Sequence, residues 1–287
     1  MSPTPPQTDQ FAKPPGFELR MSLLFGAIFL PLGVHLPYFP LWLEGKGFNA
    51  EQIGVILAFP MFVRVFTTPL ITSMADRASD RTHVLIAASL AALVLSFGYY
   101  LPPSYAGVLA VSVLLAICWT PQSPLADALA LSGVRRFRSS YPRMRIWGSL
   151  SFLSASFACG LILSKTGTGA VPVMITIGLA GVTGAVCLAP RLGPPRKASP
   201  LSATNLIEVG PKLFNAYFLL FVAGTGIINA SHGFLFGFVS IYWKSIGISD
   251  SVIGVFWAWA VVAEVIAFMM FNRVLGRASA TKVLGIA

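Results

Sequence analysis

The residues of this chain best suited to chemistry are charged side chains inside long apolar runs. Arg64 stands in the stretch FPMFVRVFTTPL, and Glu264 stands in another apolar run near the other end of the chain. A charge near the middle of a bilayer is costly, so such a residue normally faces an aqueous cavity or a charged partner. We expect Arg64 to contact an anion or to tune the protonation of an acid, and Glu264 to carry a proton. A structural ion pair between them, or pairing of Arg64 elsewhere, is the alternative.

Three more ionisable residues lie in apolar surroundings. Asp127, in SPLADALA, comes shortly before the basic stretch RRFRSSYPRMR, and His35 and His232 lie inside apolar runs. An imidazole changes charge near neutral pH, so either histidine could take up and release a proton, or could simply pack and form hydrogen bonds. Asp127 could contact a solute or a proton, or could be a helix-end carboxylate paired with an arginine. The arginines considered for that pairing are Arg77, Arg143 and Arg145.

Aromatic and amide side chains in the apolar runs are the candidates for contact with a bound solute. Aromatic residues in such runs also pack against neighbouring helices or face lipid, which is the alternative for each of them. The candidates are Trp119, Gln122, Asn229, Trp257 and Trp259.

Prolines and glycines interrupt two of the apolar runs. We expect the first run to break at Pro31, Gly33, Pro37 and Pro40, and the fourth to bend at Pro121 and Pro124. Irregular backbone at membrane depth is tolerated where it is buried in protein or lines a cavity. These bends therefore predict the edges of a solute path, with a simple packing kink as the alternative.

The sequence contains no pattern typical of an enzyme. We find no paired nucleophile and base, no cluster of metal ligands and no phosphate-binding loop, so neither catalysis, a cofactor, a metal nor ATP hydrolysis is predicted. Cys118, Cys159 and Cys187 lie in apolar runs without metal-like spacing, and we expect them to pack as small apolar groups.

The composition indicates a membrane protein. Of the 287 residues, 55% are hydrophobic and 10% are charged, whereas soluble domains carry about 25% charged residues. Since about 20 helical residues cross a bilayer, the apolar runs predict an all-α bundle of eight transmembrane helices and the start of a ninth at VLGIA. The predicted spans are Leu19–Leu41, Ile53–Met74, His83–Leu101, Gly107–Ala130, Ile146–Leu163, Val171–Ala189, Leu213–Tyr242 and Val252–Asn272.

The net charge of +10 is explained by topology. Sixteen of the 20 Lys and Arg residues fall on one side of the predicted spans. Basic loops stay in the cytoplasm, so this asymmetry predicts a cytoplasmic N-terminus in a plasma membrane, and nucleic-acid binding is not expected. The proline-rich residues 1–18 predict a disordered cytoplasmic tail.

An internal repeat organises the spans. Residues 39–87 align with residues 239–287 without a gap, with eleven of the 49 positions identical, and Arg64 aligns with Glu264. Six spans separate the copies, which predicts parallel six-helix halves. The predicted domains are an N-terminal bundle at 19–189, a cytoplasmic linker at 190–212 and a partial second bundle at 213–287. By this symmetry the second half lacks about four helices, so we expect a fragment or a truncated product.

The loop after the second span, TSMADRASDR, resembles the signature G-x-x-x-D-R-x-G-R-R of the major facilitator superfamily. Asp76, Arg77 and Arg81 match it, whereas Thr72, Ser79 and Asp80 replace its two glycines and one arginine. Three stretches further resemble the branch of phenylpropionic-acid and nucleoside proton symporters: YFPLWLEGKGFNAEQIGVILAFPMFVRVF, TPQSPLADALA and YPRMRIWGSLSF.

The resemblance implies secondary transport in a bacterial inner membrane. A small solute such as an organic acid, a nucleoside or a sugar would bind between the two halves, which would expose it alternately to each side, and proton coupling is common in this branch. The signature loop would then act in gating. A transport-inactive membrane protein and a drug exporter of the same superfamily are the alternatives.

Overall fold

The structure is a computed structural model that describes residues 13–193 and 216–274. Within these ranges it contains nine α-helices, two short 3-10 helices at Phe97–Tyr100 and Thr168–Ala170, and no strand. The helices are α1 (Phe17–Gly45), α2 (Ala50–Arg77), α3 (Arg81–Ser96), α4 (Tyr105–Trp119), α5 (Gln122–Phe137), α6 (Tyr141–Thr166), α7 (Val171–Cys187), α8 (Ala216–Ser245) and α9 (Asp250–Val274).

The helices confirm the prediction of an all-α membrane bundle. Seven helical segments in the described ranges are long and apolar enough to cross a bilayer, with α4 and α5 together forming one of them. In α9 the described side chains form an apolar helical stretch at Asp250–Ala263, and most side chains beyond it lie outside the described residues. The predicted ninth span, residues 194–212 of the linker predicted at 190–212, and residues 1–12 of the tail lie outside the described residues.

The bundle has two hydrophobic cores, one toward each end. We call the end that holds Phe17 proximal, where the Phe17 ring meets Phe137 at the end of α5, and the opposite end distal, where Gly45 lies beside Thr168. The described proximal core draws only on residues before 193, whereas the distal core also includes Ile253 and Trp257 of α9. The two halves of the chain are therefore packed together at the distal end.

The expected break in α1 is wrong, because α1 is one continuous helix with three prolines inside it. Proline has no N–H, so Pro37 removes the donor that the Gly33 carbonyl would normally receive four residues later. The hydroxyl of Ser156 in α6 donates to that carbonyl at 2.8 Å. A neighbouring helix thus supplies the hydrogen bond lost at Pro37, and α1 continues past this proline.

The fourth span has an interruption between α4 and α5 at the prolines where a bend is expected, and the bend itself stays a prediction. The helix stops at Trp119 and resumes at Gln122, on either side of Thr120 and Pro121. The amide of Gln122 donates through Nε2 to the Cys118 carbonyl at 3.1 Å, which replaces part of the lost ladder. The hydrogen-bond ladder is consequently interrupted halfway along this span, while Thr120 and Pro121 keep right-handed helical dihedrals.

The repeat is visible in the turns that follow α1 and α8. Gly47 and Gly247 both adopt the left-handed conformation, with φ of 87° and 90°. In each turn the next residue's N–H bonds a carbonyl five residues back, Phe48 to Leu43 at 3.3 Å and Ile248 to Trp243 at 3.0 Å. This is the glycine-dependent closure that ends many helices, and both copies keep it because only glycine adopts that φ without strain.

The distal ends of the halves meet where α6 and α9 approach closely. A Cβ on Gly160 would lie 2.6 Å from the Asp250 carbonyl oxygen and 3.3 Å from the Gly254 Cα. The buried Tyr38 hydroxyl of α1 lies in the same junction, donating to the Ser156 carbonyl at 2.9 Å and lying 3.3 Å from that of Asp250. Small residues let helix backbones come this close.

The loop between α2 and α3 is held by two acids at the proximal end. Arg81 donates to Asp76 at 2.9 and 2.7 Å and to Ser132 of α5 at 3.2 Å. Asp80, which replaces an arginine of the superfamily signature, caps α3 through the Thr82 N–H and also accepts from the Gly193 N–H, both at 2.8 Å. Asp80 therefore ties this loop to the chain segment that follows α7.

We predict that Gly160→Ala destabilises the protein by about 1 to 3 kcal/mol, because the added methyl group meets backbone atoms that cannot move aside. Thermal unfolding in detergent micelles measures this. Gly181→Ala is the matched control, since a Cβ at Gly181 meets nothing within 4 Å. Equal melting temperatures for the two variants would contradict the close contact between α6 and α9.

We also predict that Asp80→Ala destabilises the loop by about 1 to 2 kcal/mol, because it removes a helix cap. Hydrogen exchange at the Thr82 and Gly193 amides should accelerate. In contrast, Asp76→Ala should cost less than about 1 kcal/mol, because its ion pair is exposed. Unchanged hydrogen-exchange protection of the Gly193 amide in Asp80→Ala would contradict the hydrogen bond between Asp80 and the segment that follows α7.

Candidate functional site

A cavity of about 660 Å³ lies between the two halves of the chain. Its walls come from α1, α2, the segment from α4 into α5, and α8, and most of the lining side chains are apolar. The second half contributes Phe236 and Phe238 to the lining, and α1 contributes Phe29 and Phe39. A concave, largely apolar space with a few polar groups is the usual form of a small-molecule site.

Arg64 lines this cavity from α2, midway between Ala50 and Arg77. Its side chain is exposed to the cavity, and no described residue forms a hydrogen bond or an ion pair with it. Among the described side chains that line the cavity there is no Asp or Glu. The charge of Arg64 is thus available to a bound anion.

An aromatic wall stands on the α1 side of the cavity. The His35 ring is stacked on Phe39, with centroids 4.5 Å apart, and meets the edge of Trp119 at 5.3 Å. All three side chains line the cavity, together with Tyr99, whose hydroxyl lies 3.0 Å from that of Ser112. Stacked rings of this kind offer a flat apolar surface to a solute ring.

The side chains of Glu264 and Asn229 lie outside the described part of the structure, although their backbones belong to α9 and α8. α9 packs along α6, and the two helices meet at Gly160. Direct contact between Arg64 and Glu264 therefore stays a prediction.

Asp127 lies outside the described lining of the cavity, in a small polar cluster at the interface of α5 and α6. It accepts a hydrogen bond from the Tyr141 hydroxyl at 2.8 Å, and none of the described ion pairs includes it. The Arg145 guanidinium instead lies over the Phe29 ring, 4.0 Å from its centroid. Because Phe29 also lines the cavity, Arg145 lies directly behind the cavity wall.

The remaining solute-contact candidates lie at the edge of the cavity or away from it. The exposed His232 has its Nδ1 2.8 Å from the Ile228 carbonyl oxygen, and its ring lies 5.8 Å from Phe236. Trp257 is buried and donates to Ser240 at 3.0 Å, while Trp259 is 70% exposed on the outside of α9. Gln122 is buried beneath the break between α4 and α5.

The signature residues Asp76, Arg77 and Arg81 lie at the proximal end of the bundle and do not line the cavity. Cys159 is buried, with its Sγ 3.5 Å from the Met174 sulfur, as expected for a packing cysteine. No group of three or more metal-ligating side chains occurs in the described ranges.

A second, more open cavity of about 360 Å³ is lined by Arg64 and by two threonines that were not among the sequence candidates. They are Thr68, four residues after Arg64 on α2, and Thr120 in the break after α4. The spacing from Arg64 to Thr68 was a usable signal, because residues four apart lie on the same face of a helix.

The chain is similar in sequence to several bacterial transporters. It is 27% identical over 276 residues to the probable 3-phenylpropionic acid transporter of Escherichia coli (strain K12), covering 93% of this chain and 70% of that protein. It is 27% identical over 277 residues to the maltose permease of Geobacillus stearothermophilus, covering 95% and 67%. It is also 21% identical over 235 residues to YegT, a putative nucleoside transporter of Escherichia coli (strain K12), covering 79% of this chain and 54% of that protein.

The fold is similar to that of the nucleoside transporter NupG. That crystal structure superposes with a TM-score of 0.74 at 15% identity, covering 91% of this chain and 68% of NupG. A sequence model of the MFS_1 like family matches residues 18–287. The relatives named above are transporters of small solutes. The chain is therefore a multi-pass membrane protein that belongs to the MFS_1 like family of the major facilitator superfamily.

Proposed function

We propose that this protein is a secondary active transporter that carries a small organic solute through the central cavity by alternating access. The observation that carries the proposal is Arg64, a cation halfway along a membrane helix without a described partner, in a cavity of about 660 Å³ between the halves. Retaining such a costly charge at this depth is expected where it binds something.

The shape of the bundle supports alternating access. The halves are packed at the distal end through Tyr38, Gly160 and Gly254, whereas the described side chains in the first half of α8 are mostly exposed. If the basic loops keep the N-terminus in the cytoplasm of a bacterium, this is the conformation open to the cytoplasm. The opposite conformation would require the distal junction to separate.

An organic acid with an apolar body is the solute class that the cavity favours. Maltose presents many hydroxyls that need hydrogen-bond partners, and the lining offers few polar groups. The solute named for the E. coli relative, 3-phenylpropionic acid, combines a ring with a carboxylate. The ring matches the wall of His35, Phe39 and Trp119, and the carboxylate matches Arg64.

Coupling to protons is proposed to depend on Glu264. It aligns with Arg64 in the internal repeat, and a carboxyl group carried by a membrane helix could take up a proton on one side and release it on the other. His35 and His232 are secondary candidates, because one lines the cavity and the other contacts a residue that does.

A transport-inactive membrane protein and a drug exporter are the rival functions. The chain spans 70% and 67% of two relatives, so transport by these 287 residues is itself part of the proposal. Binding of a solute without uptake into proteoliposomes would favour the inactive form. Transport of cationic or neutral drugs in preference to acids would favour the exporter.

The principal test is uptake of radiolabelled 3-phenylpropionate into proteoliposomes that hold the purified protein. We predict uptake driven by an inward proton gradient, and a loss of about tenfold or more in Arg64→Gln, because a hydrogen bond to a charged group contributes roughly 1.5 to 3 kcal/mol. Arg143→Gln is the control, since Arg143 is exposed and does not line the cavity. Equal uptake by both variants would show that Arg64 does not bind the solute.

A separate prediction concerns the coupling acid. Glu264→Gln should abolish accumulation driven by a pH gradient but preserve exchange of labelled for unlabelled solute, because exchange needs no net proton movement. Glu51→Gln, at the exposed start of α2, serves as the control. Normal accumulation by Glu264→Gln would exclude Glu264 as the proton carrier.

A further inference from the structure

The second cavity, of about 360 Å³, adjoins the central one, because Arg64 and Thr120 line both. It lies between α2 and the start of α5, at the depth where the fourth span is interrupted. Its described lining residues are Arg64, Val65, Thr68, Pro69, Thr120 and Pro124.

The hydroxyl of Thr68 is buried in this region, and none of the described residues is its hydrogen-bond partner. The neighbouring hydroxyls of α2 each donate to a backbone carbonyl: Thr67 to that of Val63 at 3.2 Å, Thr72 to that of Thr68 at 2.9 Å, and Ser73 to that of Leu70 at 2.7 Å. A buried hydroxyl without a partner is costly and uncommon. Thr68 therefore holds a free donor one helical turn from the free cation.

Both helices that face the second cavity also carry a proline where a backbone donor is missing. Pro69 cannot donate to the carbonyl four residues earlier, which is that of Val65, and Pro124 cannot donate to the carbonyl of Thr120. All four residues line the cavity. The residues of the wall thus carry a guanidinium, a hydroxyl without a described partner, and two carbonyls whose usual helical donors are absent.

A carboxyl group satisfies this set of partners. As a carboxylate it accepts hydrogen bonds from the planar guanidinium and from the Thr68 hydroxyl. When protonated it can also donate its O–H to one of the carbonyls of Val65 or Thr120. An ammonium group would be repelled by Arg64, and an apolar group would leave every polar partner unsatisfied.

We propose that Arg64, Thr68 and the interruption at Thr120 form a carboxyl-binding subsite, which directs the apolar body of the solute into the central cavity. This inference rests on the proposed function and identifies the solute as an amphipathic monocarboxylic acid bound in one orientation. Thr68 is then a specificity-determining residue that distinguishes an acid from its amide.

The test is binding to the purified 287-residue protein in detergent, measured by calorimetry. The probes are benzoate, phenylacetate and 3-phenylpropionate, each compared with its carboxamide. We expect the acids to bind at least tenfold more tightly than the amides. Thr68→Val should weaken binding of the acids about tenfold and leave that of the amides within about twofold, while Thr68→Ser should retain wild-type affinity.

Thr67→Val is the matched control, because the Thr67 hydroxyl bonds within its own helix. It should leave acid affinity unchanged. The melting temperature without ligand separates binding from folding: Thr68→Val should match or exceed the wild type, since it removes an unsatisfied buried hydroxyl. A lowered melting temperature with unchanged acid affinity would assign Thr68 a structural role and overturn the proposal.

The binding experiment is distinguishable from the test of transport. If no acid of the panel binds while labelled nucleosides or sugars are taken up, the transporter function stands and the carboxyl subsite is wrong. If the acids bind with the expected dependence on Thr68 but no solute is taken up, the subsite stands and transport by this chain is wrong.

Discussion

The constraint on which this structure depends is that each backbone carbonyl within an apolar bundle needs a hydrogen-bond donor. Prolines remove such donors, and the chain places them in several membrane helices. Where a neighbour replaces the donor, as Ser156 does for Gly33, the helix remains continuous and packs tightly. Around Thr120, whose carbonyl cannot receive a hydrogen bond from Pro124, the helical hydrogen-bond ladder is interrupted and a cavity lies beside it. The same chemical deficit therefore produces both architecture and a candidate site.

The second determinant is how closely the two halves approach. Glycines at 160 and 254 bring α6 and α9 together at the distal end, and the Tyr38 hydroxyl fills the space that remains. The described proximal core contains residues of the first half alone, whereas the distal core draws on both halves. Among the described residues, the apolar contacts between the halves therefore lie toward the distal end.

Electrostatics then distinguishes charges that support the fold from charges that serve the site. Arg81 and Asp80 are each satisfied by partners at the end of the bundle, and Asp80 holds the loop although it replaces a basic signature residue. Arg145 lies over an aromatic ring, and Asp127 accepts from Tyr141. Arg64 differs from all of these because none of the described residues forms an ion pair with it. Its charge is therefore the one we assign to ligand binding.

The sequence alone determined the membrane class, the helical spans and the repeat, because hydropathy and glycine spacing are local properties that the printed residues carry. It also singled out Arg64, since a charge in an apolar run is visible without coordinates. Only the tertiary structure decided that α1 is continuous through Pro37, because the donor to Gly33 comes from Ser156, 123 residues away. It likewise separated Trp119, which lines the cavity, from Trp257, which packs in the core, and it revealed the free hydroxyl of Thr68. These outcomes depend on which helices become neighbours, and that is set by packing between residues distant in the chain.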